Sequence, residues 1–106
     1  QIVQKGTVNV NGTNLPTKMA LYPAYPNPFN PTTTIRFDIP ENEIQNSVTL
    51  NIYDLRGRLV ETLAKGAMLP GRYSMKWHAN QYASGMYFAR LVYGEKVKTQ
   101  KILLLK

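Results

Sequence analysis

A chain of 106 residues holds one ordinary domain and leaves no room for two. Seven Tyr, three Phe and one Trp, set among seven Gly and seven Pro, suit strands and turns and argue against a helical bundle. Thirteen Lys and Arg against six Asp and Glu give a net charge of +7, which attracts nucleic acid, anionic lipid or acidic polysaccharide without choosing among them. The absence of cysteine excludes a disulfide framework and a thiolate metal site, and the lone His78 cannot build a metal cluster. The longest aliphatic run, Ile102 to Leu105, falls far short of the roughly 20 residues a membrane helix needs. The start at Gln1, without an initiator Met or a signal-peptide pattern, reads as a module cut from something longer.

Residues 1–18 read as a linker or as the tail of a preceding domain, with one short alternation at Val8 and Val10 and a turn at Asn11-Gly12. Asn11-Gly12-Thr13 also matches the N-glycosylation pattern, a match that short patterns reach by chance. Residues 19–106 read as the domain. Met19 to Tyr22 is a short apolar run, and from Pro23 to Pro31 four prolines push their predecessors toward extended geometry and remove N–H donors, predicting a stiff edge. Two readings of this segment stand: a lead-in whose Tyr22, Tyr25 and Phe29 plug the end of the core, or a proline-rich ligand for an aromatic groove.

Thr33 to Ile39 alternates, with Ile35, Phe37 and Ile39 inward and Thr34, Arg36 and Asp38 outward. Glu41 to Asn46 is a polar loop. Ser47 to Tyr53 alternates again with Val48, Leu50 and Ile52 inward, and Asp54-Leu55-Arg56-Gly57 turns the chain into Arg58 to Leu63. Lys65 to Gly71 reads as a turn, followed by a strand with Tyr73, Met75 and Trp77 on one face. Met86 to Tyr93 and Lys96 to Leu104 flank Gly94-Glu95 as a last hairpin, with a bulge or a change of neighbour expected near Thr99 to Lys101. About seven short strands with turn signals between them describe an all-β, immunoglobulin-like antiparallel β-sandwich, with a closed barrel as the alternative.

Nothing along the chain carries catalytic chemistry. His78 has no nucleophile motif beside it, Ser74 and Ser84 lie in no nucleophile motif, the carboxylates are scattered, and no calcium loop or phosphate-binding glycine loop is present. The expectation is a non-enzyme with no cofactor and no metal. Arg56, Arg58 and Arg72 fall at turns and Lys96, Lys98 and Lys101 on the last strand, where lysine protects an exposed edge; interleaving with Tyr53, Tyr82 and Phe88 is the alternative that would bind nucleic acid.

The blocks Tyr25-Pro26-Asn27-Pro28-Phe29-Asn30-Pro31-Thr32-Thr33-Thr34-Ile35, Val48 to Gly57 (VTLNIYDLRG), Gly71-Arg72-Tyr73 with Trp77, Ala83-Ser84-Gly85-Met86-Tyr87 and Lys101 to Lys106 (KILLLK) stand in an order and spacing that resembles one family. It is the C-terminal sorting domain of the type IX (Por) secretion system, in the subtype opening on YPNPFNP. The resemblance covers about residues 21–106. It implies an address label on a larger cargo protein, exported through the periplasm and recognised by the outer-membrane translocon and its shuttle protein. It also implies delivery to the cell surface, with removal by a sortase-like peptidase somewhere within residues 6–18. Carried over residue by residue, the sorting signal falls on Tyr25, Pro26, Asn27, Pro28 and Phe29, on Asp54 and Gly57, on Ser84, Gly85 and Tyr87, and on Lys101, Leu103, Leu104 and Lys106. The chain departs from the family at His78, where many members have aspartate, and at Ala79 to Tyr82, where many have a longer acidic loop. A reading from another class stays beside this one: a non-catalytic accessory or structural sandwich of a surface protein, binding carbohydrate or assembling.

Overall fold

Among the described residues the alternating stretches are strands, because a side-chain period of two places every second residue on the face that can be buried. The computed structural model describes residues 15–41 and 47–106, and the alternating linker stretch at Val8 and Val10, the Asn11 pattern and most of the polar loop after Glu41 lie outside them. The strands are β1 (Ala20–Leu21), β2 (Thr32–Ile39), β3 (Ser47–Asp54), β4 (Leu59–Ala67), β5 (Gly71–His78), β6 (Gly85–Tyr93) and β7 (Lys96–Leu104). They form two antiparallel sheets, one ordered β1-β2-β5 and the other β4-β3-β6-β7. Compared with a four-plus-three immunoglobulin constant-type sandwich, the fourth strand has left the first sheet to pair with β3.

The core is the set of inward positions named by the alternation. Ile35, Phe37, Ile39 and Trp77 from one sheet meet Val48, Leu50, Ile52, Leu91, Ile102 and Leu104 from the other, each no more than 1% exposed. Each of these side chains contributes about 1.5–3 kcal/mol by leaving water. Among the described residues no buried side-chain nitrogen or oxygen lacks a hydrogen-bond partner. Trp77 shows how this is met, since its indole N–H donates to Glu61 Oε1 on β4 (3.1 Å), joining the neighbouring edges of the two sheets.

The structure decides between the bulge and the change of neighbour expected near Thr99 to Lys101, in favour of the neighbour, and alters other local details. The last strand has no bulge: β6 and β7 pair in one unbroken register from Gly85↔Leu104 to Tyr93↔Lys96. Lys98, Gln100, Ile102 and Leu104 therefore share the inner face. What alters along β7 is its neighbour, because from Lys101 onward its free edge is covered by another segment. The register shifts lie instead between β3 and β4, at Leu50/Asn51 and Ile52/Tyr53, where bulges blunt a sheet edge. The turn expected from Lys65 is shorter, since β4 continues to Ala67 against Ser47 of β3. Asp38 points outward yet is only 6% exposed, because Tyr22 lies over it and donates its phenolic hydrogen to Asp38 Oδ2.

Replacing Trp77 removes the largest side chain of the core. Trp77→Ala is expected to lower unfolding free energy by about 3–5 kcal/mol, read as a lower urea midpoint with an unchanged m-value.

Candidate functional site

The strand register gathers the recognisable blocks at one pole of the sandwich. Thr32 pairs with His78, Asp54 with Tyr87 and Gly85 with Leu104, so the starts of β2, β4 and β6 lie beside the ends of β3, β5 and β7. At this pole meet the proline block, the Asp54 turn, the Ser84 to Tyr87 block and the end of β7.

The proline block does not plug the core along its whole length. Ala24 and Phe29 are buried, whereas Tyr25 is 74% exposed. Its work is to change sheets. Tyr25 bridges Thr34 of β2 antiparallel, and Phe29 bridges Leu104 of β7 in parallel, so the block crosses from the edge of one sheet to the edge of the other. Peptide bonds before Pro26, Pro28 and Pro31 are cis. Asn27 supplies a carboxamide where a strand would supply a peptide group: Nδ2 donates to Lys101 O (3.1 Å) and Oδ1 accepts from Leu103 N (2.9 Å). Phe29 N then donates to Leu103 O and Leu105 N to Phe29 O, both at 3.0 Å. These four bonds form a seam along the edge of β7. Gln100 continues it by donating to Leu21 O (2.9 Å), and Thr33 fixes the block from behind by donating to Pro26 O (2.7 Å). Beneath the seam Phe29 packs on Trp77 at 5.4 Å between ring centres, and Trp77 meets Tyr87 edge-on at 5.3 Å.

The Asp54 turn is closed by its own carboxylate. Oδ1 accepts from Arg56 N (2.9 Å) and Arg58 N (3.0 Å), and Oδ2 accepts from Arg58 Nε (3.0 Å). The Arg58 backbone N–H is the first cause, with the other N–H donors and the Arg58 charge, that holds the Asp54 carboxyl below the usual carboxylate range against the opposing effect of desolvation. Gly57 sits at φ 85° and Gly85 at φ 154°, and a Cβ at either would meet nothing within 4 Å, so backbone conformation and not space requires glycine there. Tyr87 sends its hydroxyl back to Ala83 O (2.6 Å), a tyrosine-corner contact of immunoglobulin-like sandwiches. Burial, then the nearby Asp54 charge, pushes its phenol above the ordinary value. Between the turn and this block runs a groove of about 460 Å³ lined by Arg56, Arg58, Ser84 and Gly85.

The terminal block divides by strand face. Leu104 is fully buried beside Ile102, Leu103 is half-buried on the outer face, and Lys101, Leu105 and Lys106 are exposed. Lys106 is tethered by its N–H donating to Ser84 Oγ (2.8 Å) and its ammonium to Asn80 O (2.6 Å). Pro26 and Pro28 are exposed on the block itself. His78 is exposed with Nδ1 3.1 Å from Thr32 Oγ1, and among the described residues no group of three or more His, Cys, Asp or Glu side chains comes together. Sequence reasoning gave no role to Thr33, Asn80 or Gln100. Asn80 and Gln100 act through partners 26 and 79 residues away, and Thr33 through a carbonyl seven residues back, contacts that alternation does not mark.

Two outcomes follow from this geometry. The Asp54 carboxylate contributes stability that is present above its unfolded pKa, about 3.9, and is lost as pH falls through its lower folded value. Asp54→Asn should therefore have a lower thermal midpoint than the parent near neutral pH, and the difference should shrink below about pH 4. Asn27→Ala removes both carboxamide bonds and should cost about 1–3 kcal/mol, with faster amide hydrogen exchange at Leu103 and Leu105 than at Leu91.

The family described as the secretion system C-terminal sorting domain matches residues 23–105. No curated protein matches the chain. A crystal structure of dimeric latent PorU from Porphyromonas gingivalis aligns with a TM-score of 0.60 at 21% identity, over 77% of this chain and 9% of that one, a likeness of fold. The chain thus spans about a tenth of that protein's length. With the match running from the proline block into the terminal block, the chain belongs to the secretion system C-terminal sorting domain family.

Proposed function

We propose that residues 19–106 are a sorting domain that directs a larger cargo protein, joined through residues 1–18, through the type IX secretion system to the cell surface by way of the periplasm and outer membrane. A shuttle protein and the translocon read the pole, and a sortase-like peptidase cuts within residues 6–18. The domain itself catalyses nothing. One observation carries this reading: the proline block, the Asp54 turn, the Ser84 to Tyr87 block and the terminal block are scattered over the sequence yet are joined to one another at a single pole. Packing explains Phe29, Leu104 and Tyr87, which are buried. It does not explain Tyr25, Leu105 or Leu55, which expose 74%, 51% and 71% of their surface at this pole. A reader approaching from solvent meets these side chains together with Lys101 and Lys106.

The test is a periplasmic reporter carrying residues 1–106 at its C-terminus in a host with the system. Deleting residues 102–106 abolishes surface delivery but also removes buried Ile102 and Leu104. The sharper variant is Leu105→Asp with Lys106→Glu, which leaves the core intact. Surface reporter should fall about tenfold or more while the thermal midpoint stays close to the parent's. Unchanged export by this folded variant would sink the role given to the terminal side chains, and a parent fusion that stays in the periplasm would sink the sorting reading.

A further inference from the structure

The two outer faces of the sandwich are unlike. On the three-stranded sheet the outward residues of β2 and β5 are polar and of both signs, with Thr34 opposite Lys76, Arg36 opposite Ser74 and Asp38 opposite Arg72. This is an ordinary solvated face. On the four-stranded sheet the register sets Tyr53 beside Leu59 and Phe88, and Met86 beside Leu103. The next rows add Val92 opposite Val97. The charged residues on this face are Lys65, Arg90 and Lys101, all exposed. No strand position on it carries Asp or Glu, since Glu61 faces inward to Trp77. An apolar centre of aromatic and Met side chains with Arg close by, and without carboxylates, has the composition of a protein interface core.

The centre is also held in place. Thr62 Oγ1 donates to Asn51 Oδ1 (2.7 Å), and Asn51 Nδ2 donates to the Tyr53 hydroxyl oxygen (3.2 Å), fixing the ring on the face before anything binds. Such ordering lowers the entropy lost on association. Strands of eight or nine residues at about 3.4 Å per residue and about 4.8 Å apart give a face of roughly 30 by 20 Å, near the low end of a standard interface.

We propose that the outer face of the four-stranded sheet is a docking surface for an acidic protein partner, one with an apolar patch ringed by Asp and Glu. Charge selects this occupant. A second copy of the chain would bring Lys65, Arg90 and Lys101 against their own kind, and the chain's net charge is +7. A bilayer is met by apolar groups that protrude into it, whereas the central Tyr53, Met86, Phe88 and Leu103 are half-buried and the exposed Leu59 and Val97 stand apart on the two edge strands. Bases and sugar rings stack on aromatics and have no use for Leu59, Met86 and Leu103. The face runs from the pole along the flank of the sandwich and shares Met86, Lys101 and Leu103 with the pole, and this inference rests on the sorting reading only in placing the encounter along the export route.

The experiment uses the full chain fused to the reporter, with Phe88 replaced by a benzophenone-bearing amino acid and, as control, Ser74 replaced on the opposite sheet. Irradiated cells should give a discrete protein adduct from position 88 and none from 74, with the partner's cross-linked peptide rich in Asp and Glu. Lys65→Glu with Arg90→Glu, both away from the pole, should lower adduct yield about tenfold or more at an unchanged thermal midpoint. No adduct from 88, an equal adduct from 74, an adduct to a second copy, a glycan or lipid, or a yield indifferent to charge reversal would each overturn the proposal. Surface delivery is scored separately. An exported fusion without the adduct sinks the docking surface alone, and an adduct on a fusion that is not exported sinks the sorting reading alone.

Discussion

The seam between residues 27–29 and the edge of β7 is the constraint on which the pole depends. A β-strand at a sheet edge displays unpaired peptide groups, and one with the side chains of Ile102 to Leu105 would be a ready template for aggregation. Lysines protect the first half of β7. The second half is protected by Asn27 and Phe29, whose hydrogen bonds occupy Lys101 O, Leu103 N, Leu103 O and Leu105 N. The cover is itself hard to extend, because prolines on both sides of Asn27 have no N–H to offer a further strand. The block that reads as a proline-rich oddity is an edge terminator, and the same contacts hold the terminal side chains in one arrangement.

The two seams of the sandwich are built differently. On the β1/β7 side the sheets are joined by backbone and carboxamide bonds in strand fashion. On the β5/β4 side they are joined by side-chain tips, with Trp77 and the Tyr82 hydroxyl both donating to Glu61 Oε1 and Phe29, Trp77, Tyr82 and Tyr87 packed between in tilted and edge-on contacts. Both carboxylates near the pole, Asp54 and Glu61, are engaged in internal bonds, so the cations Arg56, Lys101 and Lys106 give the surface its sign.

The strands were legible because β2, β3, β5 and β6 each bury one face, and a half-buried strand writes its register into alternation. Tyr25 shows where that reading stops: an aromatic in a small domain is good core cover, yet its neighbours Ala24 and Phe29 take the interior and Tyr25 is left outside. Along β7 the sequence showed an apolar shift that fitted either a bulge or a change of neighbour. The physical cause was a second neighbour, and nothing in Lys96 to Leu104 alone tells a bulge from a new partner. Glycines were read correctly at Gly57 because its turn is local, while Asn27, Gln100 and Ser84 act across separations that alternation cannot see. Asp54 was legible as a turn former, and its capture of three donors needed coordinates.

Asn27 and Leu103 are 76 residues apart in sequence. A contact of that span closes nearly the whole domain into one loop, and its closure entropy must be met before the bonds return anything. A chain still lacking residues 101–105 has Phe29 without its backbone partners and the inner face of β6 without Ile102 and Leu104. The arrangement of the pole thus exists only after both extremities of the domain have met, which makes it a physical record that the fold has been completed.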